Sequence, residues 1–215
     1  MGHPRRVQTA GLTQHVVNRG NNRCDIFRAP KDYSFFLRSL HDAAVEYQSD
    51  VHSYTLMTNH FHLIATPRIE GALSLTMQVA GATYVRYFNR RYSRTGTLFE
   101  GPFKSMFIDS ETYWFTCMRY VELNPVRAGF VSNPADYRWS SYRANALGIK
   151  DPLVVPHPLY LEIGKTPSDR QRYWLGLCRE ALSPDQLFEI RDGVRRGGVL
   201  GEIPTQSNPS SRAAG

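Results

Sequence analysis

The chain has 215 residues, of which 41% are hydrophobic and 12% aromatic, enough to fill a core and too many for a globally disordered polymer. Its formal net charge is +7, carried by 22 Arg against 4 Lys, a bias that fits either a polyanionic partner gripped by planar guanidinium forks or a genome rich in Arg codons. Cys24, Cys117 and Cys178 are odd in number and lack a C-x-x-C spacing, which argues against a zinc site or a disulfide framework; with no apolar run of membrane-spanning length and no signal-like start over residues 1–17, the chain reads as cytoplasmic.

Residues 13–19 read as a strand that ends in the turn-rich Gly20-Asn21-Asn22. From Lys31 to Tyr47, Phe35, Phe36, Leu40, Ala43, Ala44 and Tyr47 recur at helical spacing. Val51–Leu56 and His60–Thr66 read as two strands joined at Met57-Thr58-Asn59 and stopped by Pro67. A second helix is expected from Leu73 to Tyr92, and a fourth strand over Phe103–Ile108. Ser110 is a suitable cap for a third helix, with Glu111 favourable to its dipole and Trp114, Cys117, Met118 and Val121 as its apolar stripe. Pro125 should end that helix near Asn124. The order β-α-β-β-α-β-α predicts an α+β fold, a ferredoxin-like antiparallel sheet with helices on one face.

Past residue 145, Pro152, Pro156 and Pro158 suggest an extended connector, followed by two short helices opening at Thr166-Pro167 and Ser183-Pro184. Gln186 stands where a capping box with Ser183 would place it. The expected organisation is therefore a domain over residues 1–147, a proline-rich connector and small C-terminal helical extension over 148–201, and a disordered tail over 202–215.

The segment Thr-Asn-His-Phe-His-Leu-Ile-Ala at 58–65 carries the strongest chemical signal. On a strand, His60 and His62 point to one face while Phe61 and Leu63 point to the other, which is how a sheet can offer two neutral nitrogens to one divalent ion. A second segment, Arg-Tyr-Val-Glu-Leu-Asn-Pro-Val-Arg-Ala-Gly at 119–129, sets Tyr120 and Asn124 one helical turn apart. Should that face lie beside the histidines, two imidazoles and an amide oxygen could hold Mg²⁺ or Mn²⁺, and the tyrosine hydroxyl could attack a polarised phosphodiester. Each residue also has an ordinary reading. His60 and His62 can be exposed strand residues, Tyr120 one of 12 tyrosines at a core edge, and Asn124-Pro125 a plain helix stop.

His60-Phe61-His62 is similar to the His-hydrophobe-His motif of the HUH single-tyrosine transposases. The run Tyr120-Val-Glu-Leu-Asn124-Pro125-Val-Arg-Ala-Gly129 resembles the catalytic-helix segment of one branch, the REP-associated tyrosine transposases. Residues 15–21, 98–104 and Trp139-Ser140-Ser141-Tyr142 resemble further stretches of that branch. The resemblance spans roughly residues 10–147, and the extension after 150 looks like one found in some members. It implies Tyr120 as nucleophile, His60 and His62 as metal ligands, and Asn124 as the third ligand. It also implies cleavage of single-stranded DNA, within a palindromic repeat folded as a hairpin, to a 5′-phosphotyrosine and a free 3′-hydroxyl. Monomeric action is expected, with a dimer as the alternative.

Residues of suitable type for DNA are Arg19, Asn21, Asn22 and Arg23 after the first strand; Arg86, Arg90, Arg91 and Arg94 with Tyr87 and Tyr92 at the end of the second helix; and Lys104 and Arg127. Two rival functions remain open: a replication-initiator or relaxase-like nickase, and a non-catalytic module that binds hairpin nucleic acid.

Overall fold

The computed structural model describes residues 9–196 and, as backbone, 199–200. The expected tail over 202–215 lies outside the described residues. Seven elements follow in the anticipated order: β1 (Gln14–Arg19), α1 (Pro30–Glu46), β2 (Ser49–Leu56), β3 (His60–Pro67), α2 (Ala72–Arg91), β4 (Lys104–Ile108) and α3 (Glu111–Glu122). The strands lie side by side as β2-β3-β1-β4, each antiparallel to its neighbour. The crossover through α1 leaves a gap between β1 and β2, and β3 fills it after the tight turn at residues 57–59. That is the split arrangement of a ferredoxin-like sheet. A two-residue strand not anticipated from sequence, β5 (Val199–Leu200), runs parallel to β4.

Alternation along the strands gives the sheet two apolar faces. Phe61, Leu63 and Ala65 of β3 join Val16, Tyr54 and Leu56 under α1 and α2, where Phe36, Leu40, Tyr84 and Phe88 complete one core. Ile64, on the opposite face, joins Met106 and Ile108 beneath Trp114, Cys117, Met118 and Val121 of α3. The helices therefore do not share one face, as expected from sequence: α1 and α2 do, while α3 covers the other. The reason is that Ile64, Met106 and Ile108 form a second apolar strip, and it must be buried too.

The third helix ends close to Asn124, as expected, but the chain turns helical again at once. It stops at Glu122, turns at Leu123 (φ −89°, ψ 3°), and restarts as the single turn α4 (Asn124–Arg127). Pro125 sits at the second position of α4, where its missing N–H has no helical acceptor to lose.

Downstream are α5 (Tyr142–Leu147), α6 (Pro158–Glu162), α7 (Pro167–Arg179) and α8 (Pro184–Arg196). The helices at Thr166-Pro167 and Ser183-Pro184 are those expected, and the Ser183 N–H donates to Gln186 Oε1 at 3.0 Å as a capping box should. Pro158, expected within the extended connector, instead opens α6 at its first position. The preceding connector pairs Val154 with Val51 and so shields the exposed edge of β2. Tyr160, Trp174 and Ile190 from α6, α7 and α8 lie in the α3-side core, so the extension is packed against the sheet rather than set apart from it.

Candidate active site

The site forms where the middle of the sheet meets the end of α3. In the β1–β3 ladder, Arg19 stands opposite His60 and Val17 opposite His62. Partners across a ladder share a face, so His15, Val17 and Arg19 line the same side as His60, His62 and Ile64. Val17 also faces Lys104, and His62 faces Thr55. A single row across the sheet thus reads Thr55, His62, Val17, Lys104, with His60 and Arg19 beside it.

Three imidazoles cluster there. The His60 and His62 rings lie 5.1 Å apart at 85°, and His62 stacks on His15 at 5.1 Å and 26°. His60 Nδ1 is 2.7 Å from Asn59 Oδ1, and His62 Nδ1 is 2.9 Å from His15 Nε2. The Nε2 atom of both His60 and His62 has no hydrogen-bond partner among the described residues. Burial opposes protonation in each case. It brings His15 down to about 3 and His60 to about 4, with Arg127 and Arg19 respectively adding repulsion. His62 falls well below its ordinary value, first through burial and then through His15, His60 and Arg127. All three are neutral near pH 7.

Tyr120 reaches this cluster from α3. Its ring meets His62 edge-on at 5.5 Å and His15 at 5.8 Å. The helix is fixed at both ends. Ser110 Oγ accepts the Tyr113 N–H at 3.3 Å, and two residues past Tyr120 the fully buried Glu122 accepts from Ser141 Oγ (2.6 Å), Asn145 Nδ2 (2.7 Å) and Trp174 Nε1 (2.8 Å). Thr55 on β2 donates to the Val121 carbonyl at 2.8 Å. These bonds set the height and rotation of the last turn of α3 over the sheet.

Arg127 returns from α4 across the Tyr120 ring. Its guanidinium lies 4.2 Å from the Tyr120 ring centroid and donates to the Tyr120 carbonyl at 2.7 Å. No carboxylate pairs with it among the described residues, and its Nη1 is buried without a partner. Burial disfavours its charge, and nearby Arg191 adds repulsion. A cation in that condition is a ready seat for an anion.

The remaining sequence-predicted residues are spread out. Asn124 begins α4 and is buried, and its side-chain amide makes no hydrogen bond among the described residues. The break at Leu123 separates it from Tyr120, so the two are not successive positions on one unbroken helix. Arg19 pairs with Glu100 at 2.7 Å; Asn21, Asn22 and Arg23 form an exposed single turn after β1, with Asn22 and Arg23 at φ of 50° and 58°. Lys104 is exposed. Arg86, Arg90 and Arg91 ride on α2, which packs on the other face of the sheet, and Arg91 is paired with buried Asp32 at 3.3 Å. His15 and Glu122 are the participants that sequence reasoning did not select. The odd-position spacing of His15 with Arg19 on one strand was a usable hint, but only the register brings it to His62.

Among the described residues no cluster of three or more His, Cys, Asp or Glu side chains could hold a metal by itself. The donor chemistry nonetheless fits a divalent ion: two neutral imidazoles on one face each have Nδ1 engaged and Nε2 free.

The family described as "Transposase IS200 like" matches residues 8–124. Among solved structures, a REP-associated tyrosine transposase bound to a REP hairpin superposes with a TM-score of 0.54 at 17% identity, covering 73% of this chain and 93% of that one. This likeness shows a shared fold. A tRNA(His) guanylyltransferase from Saccharomyces cerevisiae aligns at a TM-score of 0.43 and 8% identity over 82% of this chain and 81% of that one, too slight a likeness to bear on the fold. No curated protein matches the chain.

Proposed function

Since the chain belongs to the family of IS200-like transposases, we propose that it is a single-stranded DNA endonuclease and strand transferase that uses Tyr120 as its nucleophile. The observation that carries this reading is the approach of the Tyr120 ring to His62 at 5.5 Å, on the sheet face shared with His60. The Tyr120 hydroxyl oxygen bonds to phosphorus, the bond from phosphorus to the 3′ oxygen breaks, and that oxygen leaves as a 3′-hydroxyl carrying a proton. The product is a 5′-phosphotyrosine. Its bond energy is retained for rejoining, so the second half-reaction needs no other energy source. His60 and His62, with Asn124 as third ligand, would hold Mg²⁺ or Mn²⁺, which when bound polarises the scissile phosphate.

The chain's own residues do the rest. Arg127, a half-buried cation with no carboxylate partner among the described residues, takes a phosphate oxygen at the point of attack. Arg19 and Lys104 line the approach along the same sheet face, with Asn21, Asn22 and Arg23 at its rim. Arg86 and Arg90 grip DNA farther along, on the far side of the sheet, whereas Arg91 is committed to Asp32. Hairpin DNA of the REP type is the proposed substrate, since the relative of like fold was solved with a REP hairpin. Tyr120 and both histidines come from one chain, which supports action as a monomer.

The test is an incubation of the protein with a labelled hairpin bearing a single-stranded flank, plus Mg²⁺ or Mn²⁺, resolved under denaturing conditions. A protein–DNA adduct is expected with wild type and none with Tyr120→Phe. Hairpin binding without any adduct would instead establish a non-catalytic hairpin-binding module, and an adduct surviving Tyr120→Phe would reject Tyr120 as nucleophile.

A further inference from the structure

Resting on the reading of His60 and His62 as metal ligands, we propose that His15 is a positioning residue: its Nε2 accepts the Nδ1–H of His62 and fixes that ring in the tautomer whose Nε2 can bind a cation. A neutral imidazole carries one proton on two nitrogens, and only the bare nitrogen can ligate. Asn59 settles the matter for His60. Its Oδ1, 2.7 Å from Nδ1, can only accept, so the His60 proton sits on Nδ1 and Nε2 is bare.

His62 has no such oxygen. Its Nδ1 meets another imidazole nitrogen, His15 Nε2, at 2.9 Å, and one proton must lie between them. If His15 donates it, the proton of His62 is on Nε2 and that atom is closed to a metal. If His62 donates it, His62 Nε2 is bare and His15 carries its own proton on Nδ1. Only the second arrangement makes a ligand.

Both rings are shut away from solvent, His15 at 0% exposure and His62 at 5%, so bulk water cannot stand in for either partner. The strand register enforces the meeting. His15 lies diagonal to His62, two residue pairs along the ladder from Val17–His62 and on the same face, within reach for ring side chains. The second arrangement leaves a cost, because His15 Nδ1 is buried without a hydrogen-bond partner and would be an unsatisfied N–H. Metal-ligating histidines elsewhere usually donate their second N–H to a carboxylate or carbonyl. Here a neutral ring, His15, accepts that N–H instead, which orients His62 without adding negative charge beside an incoming phosphate.

The experiment measures Mn²⁺ affinity by titration calorimetry, and independently by the loss of the free-ion electron paramagnetic resonance signal, in the absence of DNA. His15→Phe, which keeps an aromatic ring but no acceptor, is expected to weaken Mn²⁺ binding by about 10–100-fold, the usual cost of losing such a partner. His15→Gln, whose Oε1 can accept the His62 proton, should restore most of it. Thermal unfolding and metal-free hairpin binding serve as checks that both variants are folded. Equal Mn²⁺ affinity in wild type and His15→Phe, or a His15→Gln defect as large as that of His15→Phe, overturns the proposal while leaving the metal site standing. Wild type that fails to bind Mn²⁺ overturns the metal reading itself. Should His15→Phe not fold, nitrogen-15 spectra of wild-type histidines saturated with Mg²⁺ decide the point. They should show the proton of His62 on Nδ1 and that of His15 also on Nδ1, and the opposite pair of tautomers sinks the idea.

Discussion

At the residue scale, burial keeps three imidazoles uncharged beside a half-buried guanidinium, and this has a consequence for stability. His15 and His60 titrate at about 3 and about 4 in the folded protein against 6.5 in an unfolded chain. His62, facing His15, His60 and Arg127, is also lowered, as are His52 and His157, both again chiefly by burial. Below about pH 6.5 the unfolded state takes up protons that the folded state refuses, so stability falls as acid is added. Above that value these groups contribute no pH dependence. The melting temperature should be level between about pH 8 and 7 and then drop progressively between about pH 6 and 4; His15→Gln should soften the drop, since one such group is gone. A melting temperature unchanged from about pH 7.5 to 5 would contradict the assignment of these rings as buried and neutral. Arg127 gives a second prediction. Arg127→Met should leave hairpin binding within roughly threefold while cutting adduct formation at least tenfold, because one charge-assisted contact to phosphate is worth about 1.5–3 kcal/mol. Arg127→Lys should recover only part, since a point charge cannot keep both the carbonyl and the phosphate contact.

At the element scale, α3 is both the core helix of one sheet face and the carrier of Tyr120, the proposed nucleophile, and Glu122 joins the two roles. Its carboxylate gathers Ser141 from the start of α5, Asn145 within α5 and Trp174 in α7, and all three donate. A group that only accepts suits that shell. Glu122→Gln has nearly the same volume but turns an amide NH₂ toward donors, so it should lower unfolding free energy by about 1–3 kcal/mol in urea titrations. A loss below about 0.5 kcal/mol would show that the shell rearranges freely. The Trp139-Ser140-Ser141-Tyr142 stretch, singled out in the sequence without a chemical role, has a structural one here: its Ser141 holds the end of α3 through Glu122. Burial and not a counter-charge governs Glu122 itself, raising its pKa against the pull of its hydrogen bonds to Ser141, Asn145, Trp174 and Ser53.

At the scale of the whole molecule, the C-terminal helices complete the core beneath α3. Trp174 is 0% exposed and Ile190 1%, in the same cluster as Ile64, Met106 and Trp114. Residues 148–196 should therefore unfold together with the sheet. Tryptophan fluorescence and far-ultraviolet circular dichroism are expected to give coincident denaturation curves, and Trp174→Ala should shift both by about 3–5 kcal/mol. Two separate transitions would instead mean that the extension is an independent unit. No helix among the described residues is long and apolar enough to cross a membrane.

Local chemistry was legible in the chain by itself. Helical and alternating spacings located seven main elements within a few residues, because those periods follow from backbone geometry. Alternation alone put His60 and His62 on one face, and the short, motif-bearing stretch at 119–129 marked Tyr120 as their partner. What alternation cannot reveal is which strand lies beside which, or on what register. The gap left between β1 and β2 places β3 beside β1, and the register then sets His15 against His62 and Arg19 against His60. Likewise, helical spacing gave α3 an apolar stripe but not the face it would cover. That was decided by a second apolar strip on the sheet and by donors from α5 and α7 closing on Glu122, contacts as far apart as 52 residues in sequence. The residues proposed for the chemistry were therefore readable from the sequence, whereas those placed to aim them belong to the tertiary structure, because aiming depends on neighbours that the chain brings together only on folding.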